Sequence, residues 1–213
     1  MSHVGAYLRR RIKRGAALVV PSYVSSVAAV GNQVNFYPGA YLSTDFIVLV
    51  VANAAAMATP PGWTLVKYYN WWTGDAYHMG CWARIIGVST SVTVPGNYGG
   101  QLLVYRGAQK ALANPWFNSA MADTTLVFDG STFDLTSPLN RVLAVACDRD
   151  PVAPTVTGAL YTPRLQSTGA AFGFATADRA CGAVAQPPSV TFNQSAASSF
   201  MATGFFVELR PEP

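Results

Sequence analysis

Apolar residues in this chain come in short runs rather than in helical stripes. "FIVLVVANA" (46–54), "QLLVYRG" (101–107), "RVLAVAC" (141–147) and "MATGFFVELRP" (201–211) are rich in β-branched and aromatic side chains. Between them lies turn chemistry: "TPPG" (59–62), "VPGNYGG" (94–100), "SPLN" (137–140) and "QPPS" (186–189). An unbroken apolar run such as 46–51 predicts a strand covered on both faces. Leu49, Val50, Trp63, Leu103, Val104, Leu143, Val145, Phe205 and Val207 are therefore expected in the core. One segment has helical periodicity. In 2–14, Val4, Leu8 and Ile12 recur at i+4, arginines fill the other faces, and Gly15 offers a C-cap.

The two halves echo each other. "STDFIVLVVAN" (43–53) resembles "SPLNRVLAVACD" (137–148), "SVTV" (91–94) resembles "SVTF" (189–192), and "QLLVYRG" resembles "ATGFFVELRP" (202–211). Two copies of a five-strand unit would close into one antiparallel two-sheet sandwich, each sheet covering the apolar face of the other. General sandwich grammar would give similar echoes, so a true duplication and a coincidence both stand at this level. The expected organisation is a basic arm over 1–22 and an all-β sandwich over 23–213.

Residues 62–82, "GWTLVKYYNWWTGDAYHMGCW", hold four of the five tryptophans. With Gly74-Asp75-Ala76 as a three-residue hairpin loop, Trp72 falls near His78 and Tyr68 near Trp82. One face then carries Trp63, Leu65, Tyr69, Trp71, Tyr77, Met79, Cys81, Ala83 and Ile85, and is expected to be core. The other carries Tyr68, Asn70, Trp72, His78, Trp82 and Arg84, an aromatic patch with polar tips of the composition found at interfaces. Three covers suit such a patch: a partner chain, which is favoured, a sugar, or a loop of the same chain.

Charge changes the picture at one end only. Charged residues are 11% of the chain, well below the ~25% of ordinary soluble domains. Arg9, Arg10, Arg11, Lys13 and Arg14 are five of the fourteen cations, while from Gly15 onward nine cations face ten acids. The body is thus nearly neutral and unsuited to nucleic acid. The arm is expected to anchor the protein on a partner, with Val4, Leu8 and Ile12 in a groove and its cations on acidic groups. No apolar run reaches the ~18 residues of a membrane span, and the run 16–20 stops at Pro21, too short for a secretion signal.

Candidate chemistry is sparse. His3 and His78 are the two histidines, too few for a histidine metal set in the body. No nucleophile elbow, P-loop or dinucleotide motif occurs. Asp148 and Asp150 in "DRDP" offer two oxygens that calcium would need in greater number. No cofactor or catalytic residue is expected. Cys81, Cys147 and Cys181 are expected to be free thiols, with a Cys147–Cys181 bridge as the alternative.

The series "D-F-I-V-L-V-V", "P-P-G-W-T-L-V", "S-V-T-V", "L-L-V-Y-R-G", "R-V-L-A-V-A" and "F-V-E-L-R-P" resembles the β-sandwich modules of bacteriophage virions. Those modules occur in minor tail, tail fibre and head-decoration proteins. The resemblance covers about 24–211, leaves the arm and the aromatic run at 68–72 outside it, and implies a jelly-roll or lectin-like fold with a structural or adhesive role. It transfers no catalytic residue. The expectation is a non-enzymatic virion protein, assembled in the host cytoplasm, whose partners are other virion proteins and copies of itself. The alternative is a carbohydrate- or receptor-binding module at a tail tip that meets a host-surface glycan.

Overall fold

The structure is a computed structural model. It describes residues 18–211 apart from short stretches at 31–32, 36–40, 73–74, 88–90, 94–97, 119–122, 159, 169–171, 183–185 and 196–201. The arm residues Val4, Leu8, Arg9, Arg10, Arg11, Ile12, Lys13 and Arg14 lie outside the described residues.

The described chain is all-β, with a single short 3₁₀ turn at Gly130–Thr132. Seven strands form a first unit: β1 (Ser22–Val30), β2 (Gln33–Asn35), β3 (Phe46–Asn53), β4 (Thr64–Trp72), β5 (Asp75–Ile85), β6 (Ser91–Thr93) and β7 (Tyr98–Arg106). Eight form a second: β8 (Ala108–Asn118), β9 (Thr125–Phe128), β10 (Arg141–Asp148), β11 (Thr155–Thr157), β12 (Thr162–Thr168), β13 (Gly173–Ala180), β14 (Val190–Asn193) and β15 (Thr203–Pro211). Gly107 joins the units, and its φ of 78° is one that a side chain would disfavour.

Pairing within each unit is nested and antiparallel. The first strand pairs with the last (β1 with β7, β8 with β15), the second with the next to last (β2 with β6, β9 with β14), and the third with the strand before that (β3 with β5, β10 with β13). This winding is that of a jelly roll. The result is two large sheets, ordered β1-β7-β3-β5-β4 and β12-β13-β10-β15-β8, and two small ones, β2-β6 and β11-β14-β9.

The two units have equivalent strand registers. Val50 faces Cys81 and Gln101, as Val145 faces Thr176 and Phe205. Even an irregularity is repeated: Val66 bulges out of β4, and Arg164 bulges out of β12 at the corresponding place. The sequence echoes fall on equivalent strands, β3 with β10, β6 with β14, and β7 with β15.

The two-sheet sandwich expected from the sequence is made by the two large sheets, one from each unit. Val48, Val50 and Leu103 meet Leu143, Val145, Phe205 and Val207 between them, all fully buried. The opposite faces are covered as well. Ile47, Leu49, Leu102 and Val104 lie under Tyr41, Met57 and Trp63, while Val142, Ala144 and Phe206 lie under Leu126, Phe128, Val190 and Phe192. That double cover is why β3 and β10 read as unbroken apolar runs. All nine core residues named from the sequence are buried. Each such side chain stabilises the fold by about 1.5–3 kcal/mol relative to exposure.

β1 lies against β12 and β4 against β8. Exchanging the units maps one contact onto the other, so the sheets meet as the two halves of a symmetric dimer would. Two glycines set how closely strands approach. A Cβ at Gly100 would lie 2.3 Å from the Val50 carbonyl oxygen, and one at Gly204 would lie 2.1 Å from that of Val145. We expect Gly100→Ala and Gly204→Ala each to lower the urea unfolding midpoint by an amount equivalent to about 1–3 kcal/mol, the usual range for overpacking. An unchanged midpoint in either variant would contradict the close approach.

Candidate functional site

The aromatic hairpin β4–β5 contains every described residue of the proposed patch. Its register differs from the expected one by two residues at Tyr68 and Asn70 and by three at Trp72. Asn70 lies opposite His78, Tyr68 opposite Gly80, and Trp72 opposite Asp75, so the turn is tighter than the three-residue loop expected. The bulge at Val66 then shifts the pairing, placing Leu65 opposite Trp82. Tyr69, Tyr77, Met79, Cys81 and Ala83 do face the inter-sheet core. Trp63 does not: it joins the outer face with Trp82. Leu65 and Ile85, expected in the core, are 48% and 37% exposed.

The exposed patch is corrected at its centre. Trp82 is 1% exposed. Its Nε1–H donates to Thr59 Oγ1 at 3.1 Å, and its ring lies along Gly80, where a Cβ would come within 2.0 Å of a ring carbon. Tyr68 is half-buried, its hydroxyl accepting from the Met57 amide at 3.0 Å and its ring centroid 5.7 Å from that of His78. Arg84 is fixed by two carbonyls, Nε on Ile85 and Nη2 on Ile86, with its guanidinium 5.4 Å from the Trp63 ring centre. The cover is intramolecular. Pro60, Pro61 and Gly62 make a turn, closed by the Trp63 amide on the Pro60 carbonyl, that lays Met57, Thr59 and Trp63 over the sheet. Asn70 stays exposed, and the side chain of Trp72 is outside the described residues.

A hydrogen-bonded polar cluster lies elsewhere, along one seam between the units, and the sequence does not single it out. Asp178 is fully buried and receives Tyr105 Oη–H at 2.9 Å, Arg141 Nη1 at 2.6 Å and Arg164 Nη2 at 2.8 Å. The Arg164 guanidinium also stands 4.3 Å from the ring centre of Tyr23. Burial first, then the Asp178 carboxylate, push the Tyr105 phenol well above its ordinary value, so it remains a donor. Alongside, Gln101 Nε2 donates to Ser167 Oγ at 3.0 Å and to the Phe174 carbonyl at 3.2 Å, and its Oε1 accepts from Thr176 Oγ1 at 2.8 Å. Removing the carboxylate would leave two partly exposed guanidinium groups without their buried partner, a loss below the ~3–5 kcal/mol of a fully buried pair.

The remaining candidate groups are structural. Cys81, Cys147 and Cys181 are free and buried, so the alternative bridge is not formed. Burial raises all three thiols, Cys181 to about 12, which keeps them protonated and poor nucleophiles. Asp148 is buried and accepts from the Asp150 amide and from Gln194 Nε2, so it closes its own turn. Among the described residues no three His, Cys, Asp or Glu side chains converge on a metal position, and no helix is long and apolar enough to cross a membrane. Comparison with protein-family models, curated proteins and solved structures returns no match.

A buried carboxylate ties strand ends in each unit, Asp45 just before β3 in the first and Glu208 on β15 in the second. Asp45 accepts from Arg106 Nε and Nη2 at 2.9 and 3.0 Å and from the Leu42 amide at 2.9 Å. Glu208 accepts from the Thr136 amide and Asn140 Nδ2, both at 2.7 Å, and from Arg210. Burial alone would raise both acids, but these hydrogen bonds and the cations outweigh it and hold both below their ordinary values of 3.8 and 4.5. The native state therefore resists protonation where the unfolded chain accepts it. That stability is complete above the unfolded values and is lost as pH falls through them toward the native ones. We expect the melting temperature to drop below about pH 4.5. The variant Asp45→Asn/Glu208→Gln should be less stable at neutral pH with a flatter acid profile; an unaltered slope would contradict the assignment.

Proposed function

We propose that the chain is a non-enzymatic structural protein of a bacteriophage particle, a minor tail or head-decoration protein acting through protein–protein contacts. The observation that carries this reading is the doubled jelly roll, fused face to face with a hydrogen-bonded polar cluster along one seam between the units. Jelly rolls recur in viral capsids, an analogy at the level of fold. A body nearly neutral beyond its arm suits close packing among neighbours. The sequence series from 24 to 211 supports the same assignment. The basic arm, in which Val4, Leu8 and Ile12 recur at four-residue spacing, supplies the anchor to a neighbouring virion protein.

The alternative, a glycan-binding module, rests on the aromatic hairpin, and burial of Trp82 removes one ring from that platform. Asn70 and Arg84 remain as polar groups on that side.

Antibody-labelled electron microscopy of purified particles tests the proposal. The full chain should appear at a regular set of positions on the particle. A chain lacking residues 1–14 should fold and stay soluble but fail to incorporate. Absence of the full chain from particles would overturn the structural role, and normal incorporation of the truncated chain would overturn the arm as anchor.

A further inference from the structure

The near symmetry of the two units creates two seams at the margins of the inter-sheet core. In the first, where β1 and β7 meet β12 and β13, Tyr23, Tyr105, Arg141, Arg164 and Asp178 fill the space with rings and a buried ion cluster. The register identifies their counterparts in the second seam, between β4–β5 and β8. They are Ala111 for Tyr23, Leu209 for Tyr105, Phe46 for Arg141, Val66 for Arg164 and Ala83 for Asp178. A phenol ring becomes a methyl group, a guanidinium becomes an isopropyl group, and every polar atom of the cluster is gone. Where the first seam is closed, the second holds a cavity of about 750 Å³.

Phe46, Val66, Ala83 and Ala111 line that cavity, together with Leu65, Ile85 and Leu112. The last three are 48%, 37% and 38% exposed, an apolar cluster left open to solvent. Two of its lining residues are charged, Arg84 and Lys110, and both are cations. Arg84 is held in place by the Ile85 and Ile86 carbonyls, while Lys110 is exposed on the edge strand β8.

We propose that this cavity binds a single-chain amphiphile with an anionic head group, of the fatty-acid class. The volume falls within the ~300–1,000 Å³ of small-molecule sites, and the lining is mostly apolar with a few placed polar groups. An acyl chain suits the Phe46–Val66–Ala83–Ala111 surface, and a carboxylate suits Arg84 and Lys110. Charge also argues against the chain's own arm as occupant, since its five cations would meet two more. The inference is independent of the virion assignment.

The test is calorimetric titration of the full chain with decanoate, dodecanoate and dodecyltrimethylammonium, each below its micelle concentration. Dodecanoate should bind once per chain. Each added methylene should tighten binding about fourfold, the equivalent of ~0.8 kcal/mol per buried CH₂. The cationic amphiphile should bind at least about tenfold more weakly, one charge contact's worth. Lys110→Glu, a change at an exposed position, should weaken dodecanoate about tenfold and remove the head-group preference. Ala111→Phe, which restores a ring where the first seam has Tyr23, should abolish binding in a protein whose melting is still cooperative. Equal affinity for both head groups, affinity unchanged by Ala111→Phe, or binding that appears only after residues 1–17 are removed would each overturn the proposal.

Discussion

Each large sheet of this protein is apolar on both faces, so neither can exist in water without cover on each side. The small strands and loops of a unit cover the outer face only. The inner face of β3 and β7 is covered by β10 and β15 of the other unit, through Val48, Val50 and Leu103 against Leu143, Val145 and Phe205. Other features follow from this mutual burial. It places Asp178 and Tyr105 out of solvent, where the carboxylate is tolerable only because the phenol and the partly exposed Arg141 and Arg164 donate to it.

Symmetric burial does not demand symmetric chemistry. At one seam a bulged arginine and a buried aspartate lock the units together, and at the other a bulged valine and an alanine leave room. The first seam constrains how the two sheets sit, because Asp178 must stay within reach of Tyr105, Arg141 and Arg164 at once. The second can then remain open without loosening the whole.

The strands were legible in the sequence because burial on both faces removes polar alternation, leaving runs such as 46–51 that few other structures allow. The echoes between the halves were legible, as in "SVTV" and "SVTF", but whether they marked like strands was not, because any antiparallel sandwich yields similar short runs. The hairpin patch was not. Its faces depend on the bulge at Val66, which no glycine or proline marks, and one extra residue exchanges the two sides of a strand. The turn at Pro60–Gly62 was plain, but nothing local says that it folds back over Trp82. Asp178 sits among alanines in "FATADRA", where polar alternation resembles an exposed face; only the packing of β13 against β7 makes that face interior.

Native-state hydrogen exchange on the intact chain measures this interdependence directly. Amides of β3 (46–53) and β10 (141–148) belong to different units but to one shared core. If the units stabilise each other through their facing sheets, both sets exchange only by global unfolding, with the same opening free energy and the same dependence on denaturant. If β10 opened at a clearly lower free energy while β3 stayed protected, or the reverse, one unit would stand without its partner sheet, and mutual burial would not be what holds the fold.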